Sequence, residues 1–419
     1  MIMNSYIESI DFFKGNNPED IAAKYGTPLY VYSEDIIRTR METVNNVITK
    51  YDYTANYSVK ANTNLEILKL ALDEGINCDA MSMGELMMLK KAGFPSDRIF
   101  FVPNNVPDEE LEYAINNDIV VSLDSLAQIE RYGRLVAKLG KGHECAARIN
   151  PGVGAGHSEK VVTGGKKTKF GIAEADIPKI QPILDKYDLK LIGINQHIGS
   201  QFLDPQPYLD AVENLLRIAR GFKGLKFIDF GGGYGIPYHK LEDEADYPME
   251  DFKTRLLPIL DAFVSDYGYA PLFKSEPGRF CVAEGGVILG RVNAIKENAG
   301  KTYIGTDIGM NTLIRPAMYD SYHDIEIIRD GKTVPRENMS EASVTGQICE
   351  SGDLLARDRM LPEAKEGDLV CVLDAGAYGY SMASTYNTRP RPAEVMICSD
   401  GSVRQVRRRE TYDDLMALF

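Results

Sequence analysis

The sequence predicts an α/β protein of two parts, a parallel (β/α)8 barrel and a mainly antiparallel β-domain. Two observations carry this. From about Tyr53 to Gly278 short β-rich runs alternate with helical stretches, and after about Gly285 such runs follow one another without regular helices between them. A third is size, since 419 residues suffice for one large domain and a smaller one.

In chain order, residues 1–35 contain one strand candidate, 29–32, and are expected to pack with the β-domain. Residues 36–285 form the expected barrel. Its strand candidates are 56–59, 78–82, 99–102, 119–123, 146–149, 193–198, 227–230 and 272–275. Most are short apolar runs, as parallel strands buried on both faces require. Helical patterns at 65–74, 84–92 and 208–219 separate several of them, and eight strand–helix units close a barrel. Residues 286–419 form the β-domain, with strand candidates at 287–295, 302–306, 343–348 and 369–373.

Composition narrows the function. The chain is 44% hydrophobic and 26% charged, as soluble globular proteins are. Its 61 acidic and 47 basic residues give a net charge of -14, which repels phosphate backbones and argues against a nucleic-acid partner. The basic run 404–409 is followed at once by Glu410, Asp413 and Asp414, and reads as a solvated face or subunit contact. The amino-terminal stretch MIMNSYIESIDFF lacks the features of a secretory signal, and no apolar run is long enough to span a bilayer. The six cysteines are scattered, without a C-x-x-C pair, which argues against a disulfide framework or a zinc site. A cytoplasmic protein is expected.

Four groups of reactive residues fall at the carboxyl ends of the proposed barrel strands, the face on which such barrels carry their chemistry. Lys60, in Tyr57-Ser58-Val59-Lys60-Ala61-Asn62, closes the first; a partly desolvated amine there is suited to forming a Schiff base. His197, in HIGSQ (197–201), closes the sixth; its ring could stack on an aromatic cofactor, with the Ser200 hydroxyl reaching a phosphate. Gly231-Gly232-Gly233-Tyr234-Gly235 follows the seventh; consecutive glycines let amides approach an anion, and no Gly-Lys-Ser/Thr makes it a Walker loop. Glu276-Pro277-Gly278-Arg279 closes the eighth, offering a carboxylate for a protonated ring nitrogen and an amide for phosphate. Each has a plain alternative: a surface lysine, a core histidine, a tight turn, a Pro-Gly turn with solvated charges. Together, on one face of one barrel, they are far more specific. The remaining histidines (His143, His157, His239 and His323) show no metal-ligand spacing, so no metal is expected. Three further segments, at 314–319, 349–353 and 376–384, mix glycine or proline with reactive side chains in the β-domain.

These segments resemble the fold-type III, alanine-racemase-like pyridoxal-phosphate enzymes, and within that group the diaminopimelate decarboxylase family. The resemblance runs from about Thr27 to the carboxyl terminus. Besides the barrel motifs it includes RINPGVGAGH (148–157), TGGKKTKFGI (163–172), FGGGYGIPY (230–238), GMNTLIRPAMYDSYH (309–323), CESGD (349–353) and LDAGAYGYSMASTYNTRPRP (373–392). It implies a pyridoxal 5'-phosphate cofactor held as an aldimine on Lys60, with His197 stacked on its ring and Glu276 keeping the pyridine nitrogen protonated. Ser200, Gly233, Gly235, Gly278, Arg279 and Tyr378 are implied to help bind it. Arg279, Arg315, Tyr319 and Tyr378 are the implied substrate residues, with Glu350 for the distal ammonium. Cys349 is the implied proton donor to the α-carbon, delivered across the interface of a homodimer with shared sites.

The implied reaction is decarboxylation of meso-2,6-diaminopimelate to L-lysine and CO2, the final step of lysine biosynthesis. Two arginines and a glutamate suit a far end bearing a carboxylate and an ammonium. Alternatives are a decarboxylase of another basic amino acid or carboxylated polyamine, or a non-catalytic decarboxylase-derived regulator. A regulator is expected to lose Lys60 or Cys349, and a racemase of this fold favours a non-acidic partner where Glu276 stands. The chain departs from the family's usual residues at Thr63, at Asn195-Gln196 and at Val102-Pro103-Asn104-Asn105.

Overall fold

In the computed structural model, which describes residues 4–152, 165 and 168–419, the first strand, β1 (Leu29–Ser33), lies outside the barrel. The barrel strands are β2 (Tyr53–Ser58), β3 (Asn77–Ala80), β4 (Ile99–Phe101), β5 (Val120–Leu123), β6 (Glu144–Asn150), β8 (Lys190–Asn195), β9 (Phe227–Asp229) and β10 (Leu272–Ser275). They pair in parallel around a closed circuit, completed by β10–β2 and β5–β6, while the two-residue β7 (Ile172–Ala173) adds to β6. The predicted eight-stranded parallel barrel is therefore present, with strand bounds shifted by up to three residues. The largest shifts are at the amino end of β2 and at both ends of β8; at the two amino ends polar or half-exposed residues hide the strand from an apolar-run reading.

The helices between strands start and stop on local signals. Asn64, Ser82 and Ser125 cap the helices Leu65–Asp73, Met83–Ala92 and Leu126–Leu139, each accepting from an amide of the first turn. Gly93 and Gly140 end the last two in the left-handed conformation.

Side chains of alternate strand residues fill the barrel in layers. Phe100, Ala146 and Phe227, with Val120 and Leu272, make an apolar layer in which Phe100 meets Phe227 edge-on at 5.3 Å. Two residues further along the strands the layer turns polar. Asn56 Nδ2 donates to Asp229 Oδ2 at 3.1 Å, Ser122 Oγ to Asn195 Oδ1 at 2.6 Å, and the Lys274 ammonium lies 4.2 Å from the Phe227 ring centre.

The second unit is a ten-stranded, mostly antiparallel sheet. After β1 come β11 (Gly286–Asn298), β12 (Lys301–Thr306), β13 (Ile325–Arg329), β14 (Lys332–Thr333), β15 (Met339–Thr345), β16 (Leu354–Pro362), β17 (Leu369–Val372), β18 (Ala393–Ile397) and β19 (Val403–Arg407). The order β14-β13-β17-β11-β1-β18-β19 places β1 at the centre, antiparallel to β11 and parallel to β18, with every residue buried. The long β11 pairs with β1 and β17 through its first half and, beyond an irregularity at Val292/Ala294, with β12. Its core gathers Val31, Leu289, Leu369 and Val395 with Ile7 and Phe12 from the first turns of chain.

The two compact units divide the chain unevenly. One takes Met1–Thr39, Pro237–Asp246 and Val282–Phe419; the other takes Arg40–Ile236 and Tyr247–Cys281. The sequence boundaries at 36 and 285 kept 237–246 with the barrel. Its place in the β-unit is fixed by Lys240, whose buried ammonium sits 3.0 Å from Glu284 Oε1 and 3.0 Å from Asp374 Oδ1 and donates to the Pro237 carbonyl at 2.6 Å. Burial raises the Asp374 carboxyl to about 7 despite this lysine. The adjacent Leu241 amide donates to Asp324 Oδ2 at 2.9 Å. Among the described residues no helix is long and apolar enough to cross a membrane.

Candidate active site

Backbone bonds knit the carboxyl ends of four barrel strands into one surface. Lys60 sits half-buried in a single 3-10 turn, Val59–Ala61, that follows β2; Tyr57 Oη donates to the Asn62 carbonyl at 2.8 Å and pins it. The Ser58 amide donates to the Pro277 carbonyl at 3.1 Å, which ties this turn to the Glu276–Arg279 segment. The Glu276 amide donates to the Gly231 carbonyl at 3.0 Å; the Phe202 amide donates to the Gly233 carbonyl at 3.0 Å and the Gly235 amide to the Phe202 carbonyl at 2.9 Å, which joins the chain just after HIGSQ to the glycine loop. Lys60, His197, the glycines and Glu276 thus share one end of the barrel. His197 was expected within a strand reaching residue 198, but β8 ends at Asn195, so the histidine stands on the loop beyond it.

The glycines are required by space. A Cβ on Gly231, whose φ is +76°, would lie 2.2 Å from the Gln196 carbonyl oxygen, and one on Gly232 would lie 2.0 Å from that of Glu276. Close packing of three backbone segments is what leaves the amides of this loop near the surface of the mouth. Beside it, Arg279 is buried and its Nη2 donates to Ser200 Oγ at 3.0 Å.

The electrostatics are those of crowded carboxyls beside a few cations. Burial, then the neighbouring Asp229 and Asp79, push the Glu276 carboxyl well above its usual range, against the pull of Arg148 and Lys60. Asp79 is raised to about 7 by burial, opposed chiefly by Lys60 and by the 2.9 Å bond from Ser58 Oγ. Asp229 is raised to about 6, again by burial. Burial and the charges of Lys60 and Arg148 hold His197 well below the usual imidazole range, so its ring is neutral. The Gly232 amide donates to its Nδ1 at 3.2 Å, which leaves the ring proton on Nε2.

A phosphorylated aromatic cofactor fits these residues. Glu276 is 5% exposed, and its Oε1 is a buried acceptor without a hydrogen-bond partner among the described residues, as a protonated ring nitrogen would need. The glycine loop, Ser200 and Arg279 supply donors suited to a phosphate, and the neutral His197 ring offers an aromatic face.

The other candidates belong to the β-unit. Arg315 opens the short helix Arg315–Tyr319 and is buried, with Nη1 donating to Tyr238 Oη at 2.9 Å. Tyr319, at the other end of that helix, is half-buried. Cys349 and Glu350 are exposed side by side, and the Cys349 amide is held by Asn387 Oδ1 at 2.8 Å. Tyr378 is half-buried with a φ of +55°.

Residues 34–283 match the family model described as the pyridoxal binding domain of pyridoxal-dependent decarboxylases. The chain is 42% identical over 411 residues to the diaminopimelate decarboxylase of Methanothermobacter thermautotrophicus, covering 96% of this chain and 94% of that one. The chain belongs to the diaminopimelate decarboxylase family. The family enzyme of Aquifex aeolicus is 37% identical, over 98% of this chain and 96% of its own. A crystal structure of diaminopimelate decarboxylase from Helicobacter pylori complexed with L-lysine is similar in fold, with a TM-score of 0.88, 31% identity and coverage of 96% and 99%.

Of the segments that carry the likeness to diaminopimelate decarboxylases, residues 153–164 and 166–167 lie outside the described residues, His157 among them. The sequence reading missed the polar barrel layer and the charges beneath the mouth, Asp79, Arg148, Asp229 and Lys274. A signal was present: Asp229 and Lys274 each follow an apolar pair, Phe227-Ile228 and Leu272-Phe273, that opens the strand. It also passed over Tyr238 and His323, which touch Arg315.

Proposed function

We propose that the protein is a pyridoxal-phosphate-dependent carboxy-lyase that converts meso-2,6-diaminopimelate to L-lysine and CO2, the final step of lysine biosynthesis. The observation that carries the reading is the buried Glu276 Oε1, without a hydrogen-bond partner among the described residues, at a barrel mouth that also holds Lys60 and a neutral His197. The likeness to proteins named diaminopimelate decarboxylase supports the choice of substrate.

Bound pyridoxal phosphate supplies an electron sink for the carbanion left when CO2 departs. Lys60 provides the amine that attaches it. Glu276 would pair its Oε1 with the ring nitrogen and hold a proton there, which burial of the carboxyl favours. His197, its Nδ1 anchored by Gly232, would offer its aromatic face to that cofactor. Ser200, Gly233, Gly235, Gly278, Arg279 and Tyr378 hold the phosphate and orient the cofactor.

Arg279, Arg315, Tyr319 and Tyr378 bind the substrate, the arginines taking its distal carboxylate, and Glu350 its distal ammonium. Cys349 delivers a proton from Sγ to the α-carbon. In this reading Lys60 and Cys349 of one active site come from the two protomers of a homodimer working in the cytoplasm.

The test is CO2 release from meso-diaminopimelate, L-lysine, L-ornithine and carboxynorspermidine side by side. Turnover confined to meso-diaminopimelate, with L-lysine formed mole for mole, is the expected result. Faster release from any of the other three overturns the assignment.

A further inference from the structure

We infer that His323 is a positioning residue that fixes the guanidinium of Arg315 through one defined imidazole tautomer, and so sets selectivity for a distal carboxylate. The inference rests on the reading of Arg315 given above.

His323 is fully buried, and each of its ring nitrogens faces a group with only one possible role. Nδ1 lies 2.8 Å from the Leu373 carbonyl oxygen, which can only accept, so Nδ1 carries the hydrogen. Nε2 lies 3.0 Å from Arg315 Nη1, which can only donate, so Nε2 keeps its lone pair. Neither the other tautomer nor the imidazolium satisfies both neighbours. The same Nη1 also donates to Tyr238 Oη at 2.9 Å, and Nη2 lies 3.4 Å from Ser321 Oγ.

The geometry around this pair leaves little freedom. The Tyr238 ring lies 5.0 Å from the guanidinium carbon and meets the His323 ring edge-on at 5.2 Å. The Tyr238 amide is itself held by Glu244 Oε2 at 2.7 Å. A phenol, an imidazole and a hydroxyl are neutral acceptors, so these three contacts orient the guanidinium and add no charge of their own. That is what a residue meant to bind an incoming carboxylate needs. Without the acceptor on Nε2, Nη1 loses a fixed partner and the planar fork can turn away from its bidentate pose.

Two conservative variants separate the roles of the ring. His323→Asn keeps a donor near the Nδ1 position for Leu373 and lacks the acceptor at Nε2. His323→Gln places an amide oxygen near Nε2. In the pyridoxal-phosphate-loaded protein, His323→Asn should raise KM for meso-diaminopimelate by about ten- to a hundredfold, as loss of a hydrogen bond to a charged group does. Its kcat should change little, and His323→Gln should restore most of the KM. In an Arg315→Ala background, His323→Asn should add nothing. Equal KM values for the two variants, or additivity with Arg315→Ala, overturn the inference.

If instead Arg315→Ala leaves KM unchanged, the reading of Arg315 fails. The tautomer is then decided on the wild-type protein by the 15N shifts of His323. A hydrogen on Nδ1 and a bare Nε2 support the positioning geometry; a hydrogen on Nε2 overturns it, even where neither variant folds.

Discussion

The backbone amide of Gly232 donates to Nδ1 of His197 at 3.2 Å, on a ring whose pKa burial and two nearby cations depress. A histidine held this way stays neutral across the range in which an ordinary imidazole titrates. The 15N spectrum of labelled His197 should keep the Nε2–H pattern from about pH 5.5 to 8. An imidazolium signal anywhere in that window contradicts the arrangement.

Reduction of the cofactor-loaded protein with borohydride should abolish its visible absorbance and leave the pyridoxyl label on Lys60. Peptide mapping that finds the label on another lysine removes Lys60 from its proposed role.

Asp79 gives a pH signature. Its carboxyl titrates near 7 in the fold against 3.8 in the unfolded chain, so the folded state retains a proton that the unfolded state releases between those values. Ionisation therefore weakens the fold, with no effect below the lower value and the full effect above the upper one. Asp79→Asn should stabilise the cofactor-free protein more and more as pH rises from about 4 to 7, and then level off. Urea midpoints of the two proteins at several pH values test this; a constant offset refutes it.

Lys240→Met should destabilise the protein by about 3–5 kcal/mol, the cost of leaving buried carboxylates without their cation. The added substitution Asp374→Asn should recover part of the loss, because one of the two carboxyls is then neutral. Wild-type unfolding midpoints in the single variant count against an ionised network.

Lys60→Ala and Cys349→Ala homodimers should each be nearly inactive. Mixed and allowed to exchange, half of the dimers are hybrids under random pairing, and each hybrid has one intact site. Activity should return to about a quarter of wild type, as two-fold symmetry dictates. Confirmed exchange without recovery means that the two residues act within one chain.

Sequence reading reached the barrel because buried parallel strands leave short apolar runs, and reached Lys60, the glycine loop and Glu276 because strand ends mark the working face. It reached less where the cause is tertiary. The placement of 237–246 in the β-unit depends on Lys240 meeting Glu284 and Asp374, which no local pattern announces. The tautomers of His197 and His323 depend on Gly232, Leu373 and Arg315, each remote in sequence or silent about geometry. β8 was placed three residues too late, because Ile198 extends the apolar pattern past the point where hydrogen bonding stops.

The central place of β1 governs the order in which the molecule can be made. Leu29 pairs with Leu289 on one side and Ala393 on the other, so a strand made ahead of the whole barrel must wait for one made well after it. The eight-stranded unit closes with contacts that end at Cys281, well before that. Synthesis should thus produce a folded barrel carrying an unpaired apolar segment, Leu29–Ser33, at its front end. Chains stopped before Ala393 keep that segment half-paired, with an open strand edge that invites association. The segment Ala393–Ile397, made long after the barrel, is what makes the nascent protein safe from β1.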